Sequence, residues 1–133
     1  MKRALMLLLM GLVGTTIAGV RGYAHHSFAA DYFEDQSVSI EGEVEEFQLK
    51  NPHSILMVKV KDERGEMQTF AAEWGGSSRL GRRGITADTF KPGDFVVISG
   101  SPGRNAAERR IHLKRLHRPA DGWQWPQARR ESR

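Results

Sequence analysis

Apolar and polar residues alternate through the middle of the chain with the period of strands that bury one face. Val38, Ile40 and Val44 alternate with serine and glutamate. Gly42, inside this stretch, predicts a bulge or a sharp bend of the kind that a strand needs around a small barrel. Five stretches have strand character: from Val38 to the proline break at Asn51-Pro52, and residues 53–60, 67–74, 95–100 and 109–117. The pattern therefore predicts an all-β protein with little helix.

The connections between these strands indicate how they are arranged. Residues 62–65 and 91–94 are typical turn sequences. Ser77 and Ser78 are candidate caps for a short helical link. Five strands with a helix between the third and the fourth predict a five-stranded OB-like barrel. A small β-sandwich or an open meander is the alternative, because strand number alone does not decide whether a sheet closes.

The first 24 residues have the three regions of a secretory signal peptide. Residues 1–3 form a short cationic start with Lys2 and Arg3, residues 4–13 are apolar, and residues 14–24 are smaller and more polar. Gly22 and Ala24 suit a cut after Ala24, whereas a cut after Ala18 is an alternative that would leave a longer tail. Glycines, threonines and Arg21 interrupt the apolar run, which favours cleavage over a retained membrane anchor. We therefore expect a periplasmic or secreted protein with no stable membrane anchor after cleavage.

Cleavage also changes the charge of the protein and the partners that charge favours. The whole chain carries +4, but removing Lys2, Arg3 and Arg21 brings the mature chain near +1. Export and near-neutral charge both argue against a nucleic-acid partner. Acidic residues are concentrated before residue 48 and basic residues after residue 104. This distribution predicts that the two ends pair with each other or orient a charged partner, and self-pairing is the simpler expectation.

The mature chain is expected to hold a single domain without disulfides. It contains no cysteine, and its length allows one modest core. The expected organisation is a signal peptide (1–24), an N-terminal lead-in (25–37), the OB-like barrel (38–117) and a polar tail (118–133). Trp123 and Trp125 are the apolar residues expected to attach that tail to the barrel.

Several motifs together give a family resemblance that extends to about His117. They are His25-His26-Ser27-Phe28 after the signal peptide, Glu41-Gly42-Glu43-Val44, Asn51-Pro52-His53, Glu73, Arg83-Gly84 and Lys91-Pro92-Gly93-Asp94. This set resembles a family of small exported bacterial proteins of unknown function. Phe47 departs from it, since a tryptophan is expected at that position. The resemblance implies an exported barrel-like domain and no established activity.

The histidine pair at the predicted cleavage site is the main candidate for chemistry. A cut after Ala24 gives His25 a free α-amine beside its own imidazole, and two such nitrogens form a bidentate clamp. Cu(II) prefers nitrogen donors in a tetragonal arrangement, so His26 or His53 would extend the set. The sequence thus predicts a copper site, or one for a similar divalent metal, at His25, His26 and His53. The alternative is a solvated terminus that binds metal only adventitiously.

Asn51 and Glu73 are the predicted supporting residues. Asn51 is expected to cap its own turn, and Glu73 is expected either to ligate the metal or to orient a ligand imidazole. The alternatives are a structural hydrogen bond from His53 and a surface ion pair between Glu73 and the arginines at 79–83. His112 and His117 are five residues apart, which predicts opposite faces of a regular strand and no shared site unless the strand contains a bulge.

Two functional classes follow from these observations. The first is a periplasmic metal-binding domain for carriage or sensing. The second is a protein- or ligand-binding module without metal, which would have a periplasmic protein as its partner. An enzyme is not favoured, because the sequence has no recognisable nucleophile setting, phosphate loop or catalytic carboxylate pair.

Overall fold

The computed structural model describes residues 28–127. The predicted signal peptide (1–24), His25 and His26 therefore lie outside the described residues, as does the end of the tail. The chain divides into two units, Met1–Ala30 and Asp31–Arg133, and a short helix, α1 (Phe28–Asp31), lies at their boundary. Strands dominate the second unit: β1 (Val38–Gln48), β2 (Ile55–Lys61), β3 (Met67–Glu73), β4 (Phe95–Pro102), β5 (Arg110–Arg118) and β6 (Trp123–Trp125).

The first five strands form a closed barrel, as the sequence predicted. Their order is β3-β2-β1-β4-β5, with antiparallel neighbours throughout. A parallel pairing of β3 with β5 closes the sheet, and it sets Glu73 opposite His112. A helical link, α2 (Ser77–Gly81), lies between β3 and β4. The OB-like barrel is confirmed, and the sandwich and meander alternatives are excluded.

β1 pairs with two strands because it bends in its middle. Residues before Glu43 pair with β4 and those after it pair with β2. The register with β2 shifts between Val44 and Glu46, so the bulge lies two to three residues after the position that the sequence indicated. Gly42 serves a different purpose, since a Cβ there would lie 1.9 Å from the carbonyl oxygen of Lys59. The glycine permits this close approach of two backbones.

Alternating residues of the five strands fill the barrel. Leu56, Val58, Val96 and Ile98 are fully buried, and Leu80 of α2 packs with the same cluster. β2 is apolar on both faces, which agrees with its place between β1 and β3. Burial of these aliphatic side chains is the main source of stability in a chain without cysteine.

An aromatic layer adjoins this core. Its members are Phe47, Trp74, Phe90, Trp123 and Trp125. Phe47 meets Phe90 edge-on with ring centres 5.4 Å apart, so phenylalanine keeps the aromatic contact at the position where a tryptophan was expected. The two tail tryptophans belong to β6, which pairs with β5. They attach the tail to the barrel as predicted and add a sixth strand.

The segment before β1 is also part of the folded unit. Tyr32 is fully buried and bridges to Gly103, and the Phe33 amide donates to the carbonyl oxygen of Pro102 at 2.9 Å. The sequence predicted only an irregular lead-in here. Within residues 28–127, none of the helices has the length and apolar character needed to cross a bilayer.

Candidate functional site

Glu73 is the centre of a polar cluster where β3 ends. Its side chain is 13 % exposed and accepts hydrogen bonds from three groups. His53 Nδ1 lies 2.7 Å from Oε1, Arg110 Nη2 lies 2.6 Å from Oε2, and the Tyr32 hydroxyl also donates to Oε2. The carboxylate of Glu73 thus forms a hydrogen bond with the imidazole of His53. The arginine that it pairs with is Arg110, so the predicted pairing with residues 79–83 is wrong.

The surroundings of Glu73 keep it ionised. Burial alone would favour the neutral acid, but the bonds from Tyr32, Arg110 and His53 together hold the pKa of Glu73 below its usual value. An ionised carboxylate only accepts hydrogen bonds, so the proton of the His53–Glu73 contact lies on His53 Nδ1. This tautomer directs Nε2 away from the carboxylate.

Local backbone bonds hold His53 in place beside β3. The sequence predicted a strand from residue 53, but β2 begins at Ile55. His53 therefore lies in the loop before β2, between Pro52 and Ser54. Ser54 is fully buried, its amide donates to Gly75, and its carbonyl accepts from the Trp74 amide at 2.8 Å. The backbone next to His53 is therefore anchored by hydrogen bonds of Ser54, and its imidazole is anchored by the contact of Nδ1 with Glu73.

Tyr32 lies between Glu73 and a second imidazole. Burial is the largest cause that raises the pKa of Tyr32, and its hydrogen bond to Glu73 is the second. The hydroxyl therefore stays protonated and donates. The guanidinium of Arg110 lies 5.3 Å from the Tyr32 ring centre, and the ring of His112 lies 5.6 Å from it with a tilt of 46°. Tyr32 thus joins the Glu73 cluster to His112.

His112 has its own carboxylate partner. Its Nδ1 lies 2.7 Å from Glu34 Oε1, and Lys114 Nζ lies 2.6 Å from Glu34 Oε2. Burial would raise the pKa of Glu34, but the bonds from Lys114 and His112 outweigh burial and lower it. Two histidines are therefore each held through Nδ1 by an ionised carboxylate. The Glu34–Lys114 pair also fulfils the predicted pairing of the acidic and basic ends.

β5 is not a regular strand, so His112 and His117 do not lie on the opposite faces expected for one. The register of β5 with β4 shifts between Ser99 and Gly100, so β5 holds an extra residue at this point. Ile111, Leu113 and Leu116 are the buried residues of this strand, whereas His117 is exposed. The shift turns His112 and His117 to the same outer side of the strand, where they pair with different neighbours.

Asn51 contacts the helical link instead of capping its own turn. Its Oδ1 accepts from the Ser78 amide at 3.3 Å, and its Nδ2 donates to Ser78 Oγ at 3.1 Å. A Cβ on Gly76, the residue that caps α2, would lie 2.5 Å from the carbonyl oxygen of Pro52. Asn51 therefore ties the loop that carries His53 to α2.

The described part of the chain supplies only part of the predicted metal site. Of the three predicted ligands, His53 lies within it, beside Glu73, while His25 and His26 lie outside. No group of three or more His, Cys, Asp or Glu side chains within residues 28–127 is arranged to hold a metal ion. The sequence interpretation missed Tyr32, Arg110, Glu34 and His112. The one available indication was the acidic, aromatic character of residues 28–35.

A separate groove of about 620 Å³ lies on the barrel and shares no residue with the Glu73 cluster. Its lining includes Ile40, Lys59, Val60, Met67 and Phe95. Met67 is 57 % exposed and Phe95 is 45 % exposed, so two large apolar side chains of this groove face solvent.

Comparison with known proteins gives a family match. A family model described as a family of unknown function (DUF6152) matches residues 14–112, well over half of the chain. No curated protein matches the chain.

Proposed function

We propose that this chain, which belongs to the DUF6152 family of unknown function, binds copper or a similar divalent metal in its mature form. The ligands are His25 and His26 at the new amino terminus, with His53 as a further imidazole. The task is carriage or sensing of the metal in the periplasm, and the expected partner is a periplasmic protein that exchanges the metal.

One observation supports this proposal most directly, namely the bond between Glu73 and His53. Histidines that ligate metals almost always donate their other ring N–H to a carboxylate, a backbone carbonyl or water, which orients the ring and raises its basicity. His53 Nδ1 and Glu73 Oε1 are 2.7 Å apart, and Arg110 and Tyr32 hold the carboxylate from its other oxygen. In the proposed site, His53 would ligate the metal through Nε2.

The amino terminus supplies the strongest donors. Cleavage after Ala24 frees the amine of His25, which forms a bidentate clamp with its own imidazole and suits the tetragonal preference of Cu(II). His26 is six residues before Tyr32, so the covalent chain keeps the two within roughly 20 Å of each other.

Two experiments test the proposal. Amino-terminal sequencing of the exported protein shows whether the mature chain begins at His25. Copper titration then compares the mature wild type with His25→Ala and His53→Ala, with His117→Ala as the control for an exposed imidazole. Submicromolar binding that falls in the first two variants and persists in the control supports the site. Unchanged binding in His25→Ala rejects it.

The groove lined by Met67 and Phe95 favours a second candidate function, an exported protein- or ligand-binding module without metal. Exposed apolar residues beside an open groove are common at interaction surfaces. Titration without specific metal binding, together with a periplasmic partner that is released by Met67→Glu, would favour this function over the first.

A further inference from the structure

We propose that the groove lined by Met67 and Phe95 binds an extended segment of a partner protein, which adds to the barrel as a β-strand and alternates apolar with basic residues. This inference rests on the second candidate function and does not involve the metal. It specifies the chemistry of the partner and the way in which the partner is held.

The groove lies where β1 separates from β2. Pairing of these two strands ends at Glu43 and Lys59, and the earlier residues of β1 pair with β4. Val60 and Lys61 continue β2, but their strand partner is β3. Within residues 28–127, therefore, no strand pairs with the edges of β1 and β2 that face each other here.

Hydrogen bonds next to the groove show where the backbone groups of β1 point. The Val44 amide donates to the carbonyl oxygen of Asp94 at 2.8 Å, and the Val44 carbonyl accepts from the Gly93 amide. Both groups of Val44 thus point to the β4 side, and the register with β4 is unbroken from residue 38 to residue 43. Because the N–H and C=O groups of successive residues alternate between the two sides of a strand, those of Ser39 and Glu41 point into the groove.

The same reasoning applies to the facing edge of β2. The Asp62 amide donates to the carbonyl oxygen of Glu66 at 2.8 Å, on the β3 side. By alternation the N–H and C=O groups of Lys61 point away from β3 and into the groove. Ser39, Glu41 and Lys61 therefore present open strand edges, which is the backbone arrangement that an added extended peptide completes.

The apolar side chains of the groove indicate one face of the added strand. Ile40 and Val60 are half-buried, pack against the core and line the groove, so they offer contacts to apolar residues that point inward. Met67 and Phe95 add apolar surface at the rim. Since side chains alternate between the two faces of a strand, every second residue of the partner segment is apolar.

Charge indicates the other face of the added strand. Glu41 and Glu43 line the groove, and neither forms an ion pair with another residue of the described range 28–127. Lys59 is offset by Glu45 at 3.6 Å, which leaves two carboxylates against the single ammonium group of Lys61. Opposite charges on neighbouring strands stabilise a sheet, so basic residues are the complement on this face.

The rival explanation is that these charged residues only keep the two edges solvated and prevent pairing, as charged residues do on many edge strands. The two explanations differ in the backbone. Only strand addition uses the peptide's own N–H groups and protects the amides of Ser39, Glu41 and Lys61 from exchange with solvent.

The test uses the purified protein and a capped pentapeptide of alternating valine and lysine as the probe. Its matched controls are the valine–glutamate peptide and two valine–lysine peptides that are N-methylated at one or the other set of alternate residues, so that each loses the N–H groups of one edge. We expect calorimetry to show binding of the valine–lysine peptide and binding of the glutamate peptide that is about threefold or more weaker. At least one N-methylated peptide should lose about fivefold or more.

Two further measurements locate the bound strand. In ¹H–¹⁵N hydrogen-exchange spectra, the amides of Ser39, Glu41 and Lys61 should exchange about tenfold or more slowly in the saturated complex than in the free protein. Glu41→Lys should reverse the preference between the lysine and glutamate peptides. Glu46→Lys, on the exposed part of β1 outside the groove, should leave the preference unchanged.

The outcomes separate this inference from the second candidate function. If a partner is released by Met67→Glu but the valine–lysine peptide does not bind, or if both N-methylated peptides bind equally well and the three amides stay unprotected, the function stands and strand addition is refuted. If Met67→Glu releases no partner and no peptide binds, both fail. A dimer in sedimentation that Glu41→Lys dissociates would assign the groove to a second copy of this chain and would also refute the inference.

Discussion

Replacing Glu73 by glutamine removes one charge and leaves the shape of the side chain unchanged. His53 donates to Oε1, whereas Arg110 and Tyr32 donate to Oε2. If the amide oxygen stays towards Arg110 and Tyr32, the NH₂ group faces His53 Nδ1, which can accept from it only by giving up its own proton. Glu73→Gln therefore removes the charge that strengthens the bonds from Arg110 and Tyr32, and it costs His53 either its Nδ1–H tautomer or its hydrogen bond, with little change in volume.

The magnitude follows from the number and exposure of the bonds. A hydrogen bond to a charged group contributes about 1.5–3 kcal/mol and one between neutral groups about 0.5–1.5 kcal/mol, so making these bonds neutral costs about 1 kcal/mol for each bond. Arg110 is about one-third exposed, so water replaces part of its loss. We expect Glu73→Gln to lower the free energy of unfolding by about 2–4 kcal/mol, which corresponds to a fall in Tm of roughly 8–16 °C in a domain of this size.

Urea unfolding of the mature chain at neutral pH measures this change, with Glu46→Gln as the matched control. Glu46 is an exposed carboxylate on β1, and its replacement is expected to change stability by less than about 0.5 kcal/mol. If Glu73→Gln is as stable as Glu46→Gln, the three bonds do not anchor this end of the barrel, and the argument that Glu73 orients His53 loses its basis.

Three further predictions concern the barrel. Gly42→Ala should destabilise the fold by about 2–3 kcal/mol in thermal unfolding, because its Cβ would lie 1.9 Å from the Lys59 carbonyl oxygen. Gly81→Ala is the control, since its Cβ would meet nothing within 4 Å and should not destabilise the fold. Trp125→Ala should cost about 2 kcal/mol, since this half-buried ring packs edge-on against another tryptophan, and loss of near-ultraviolet circular dichroism would accompany it. The fold lowers the pKa of Glu73, so the contribution of this carboxylate to stability is present above the pKa of 4.5 in the unfolded chain and is lost as the pH falls through the lower pKa in the folded chain. From neutral to acidic pH, the urea midpoint should therefore fall less in Glu73→Gln than in the wild type.

The fold could be predicted because its determinants are local. Alternation around Ile40 and Val44, the proline break before His53 and the turn at residues 91–94 are all visible in short windows of sequence. Closure was inferred from the helical link between the third and the fourth strand, and the pairing of β3 with β5 provides it.

The polar cluster could be predicted only in part because it depends on closure. Glu73 and His53 were identified, but the parallel pairing of β3 with β5 that sets His112 beside Glu73 joins distant parts of the chain. The extra residue in β5 changed the face of the strand, which a regular period of two does not foresee. Tyr32 lies in a stretch without periodicity, so nothing local indicated its burial.

The central claim is that cleavage creates a nitrogen donor at His25 which, with oriented imidazoles, holds copper. Cu(II) titration of the mature chain with a free amine, against the same chain with that amine acetylated, tests this claim most directly. The account predicts submicromolar binding in the first and a loss of about tenfold or more in the second. Equal affinity of the two chains would contradict it.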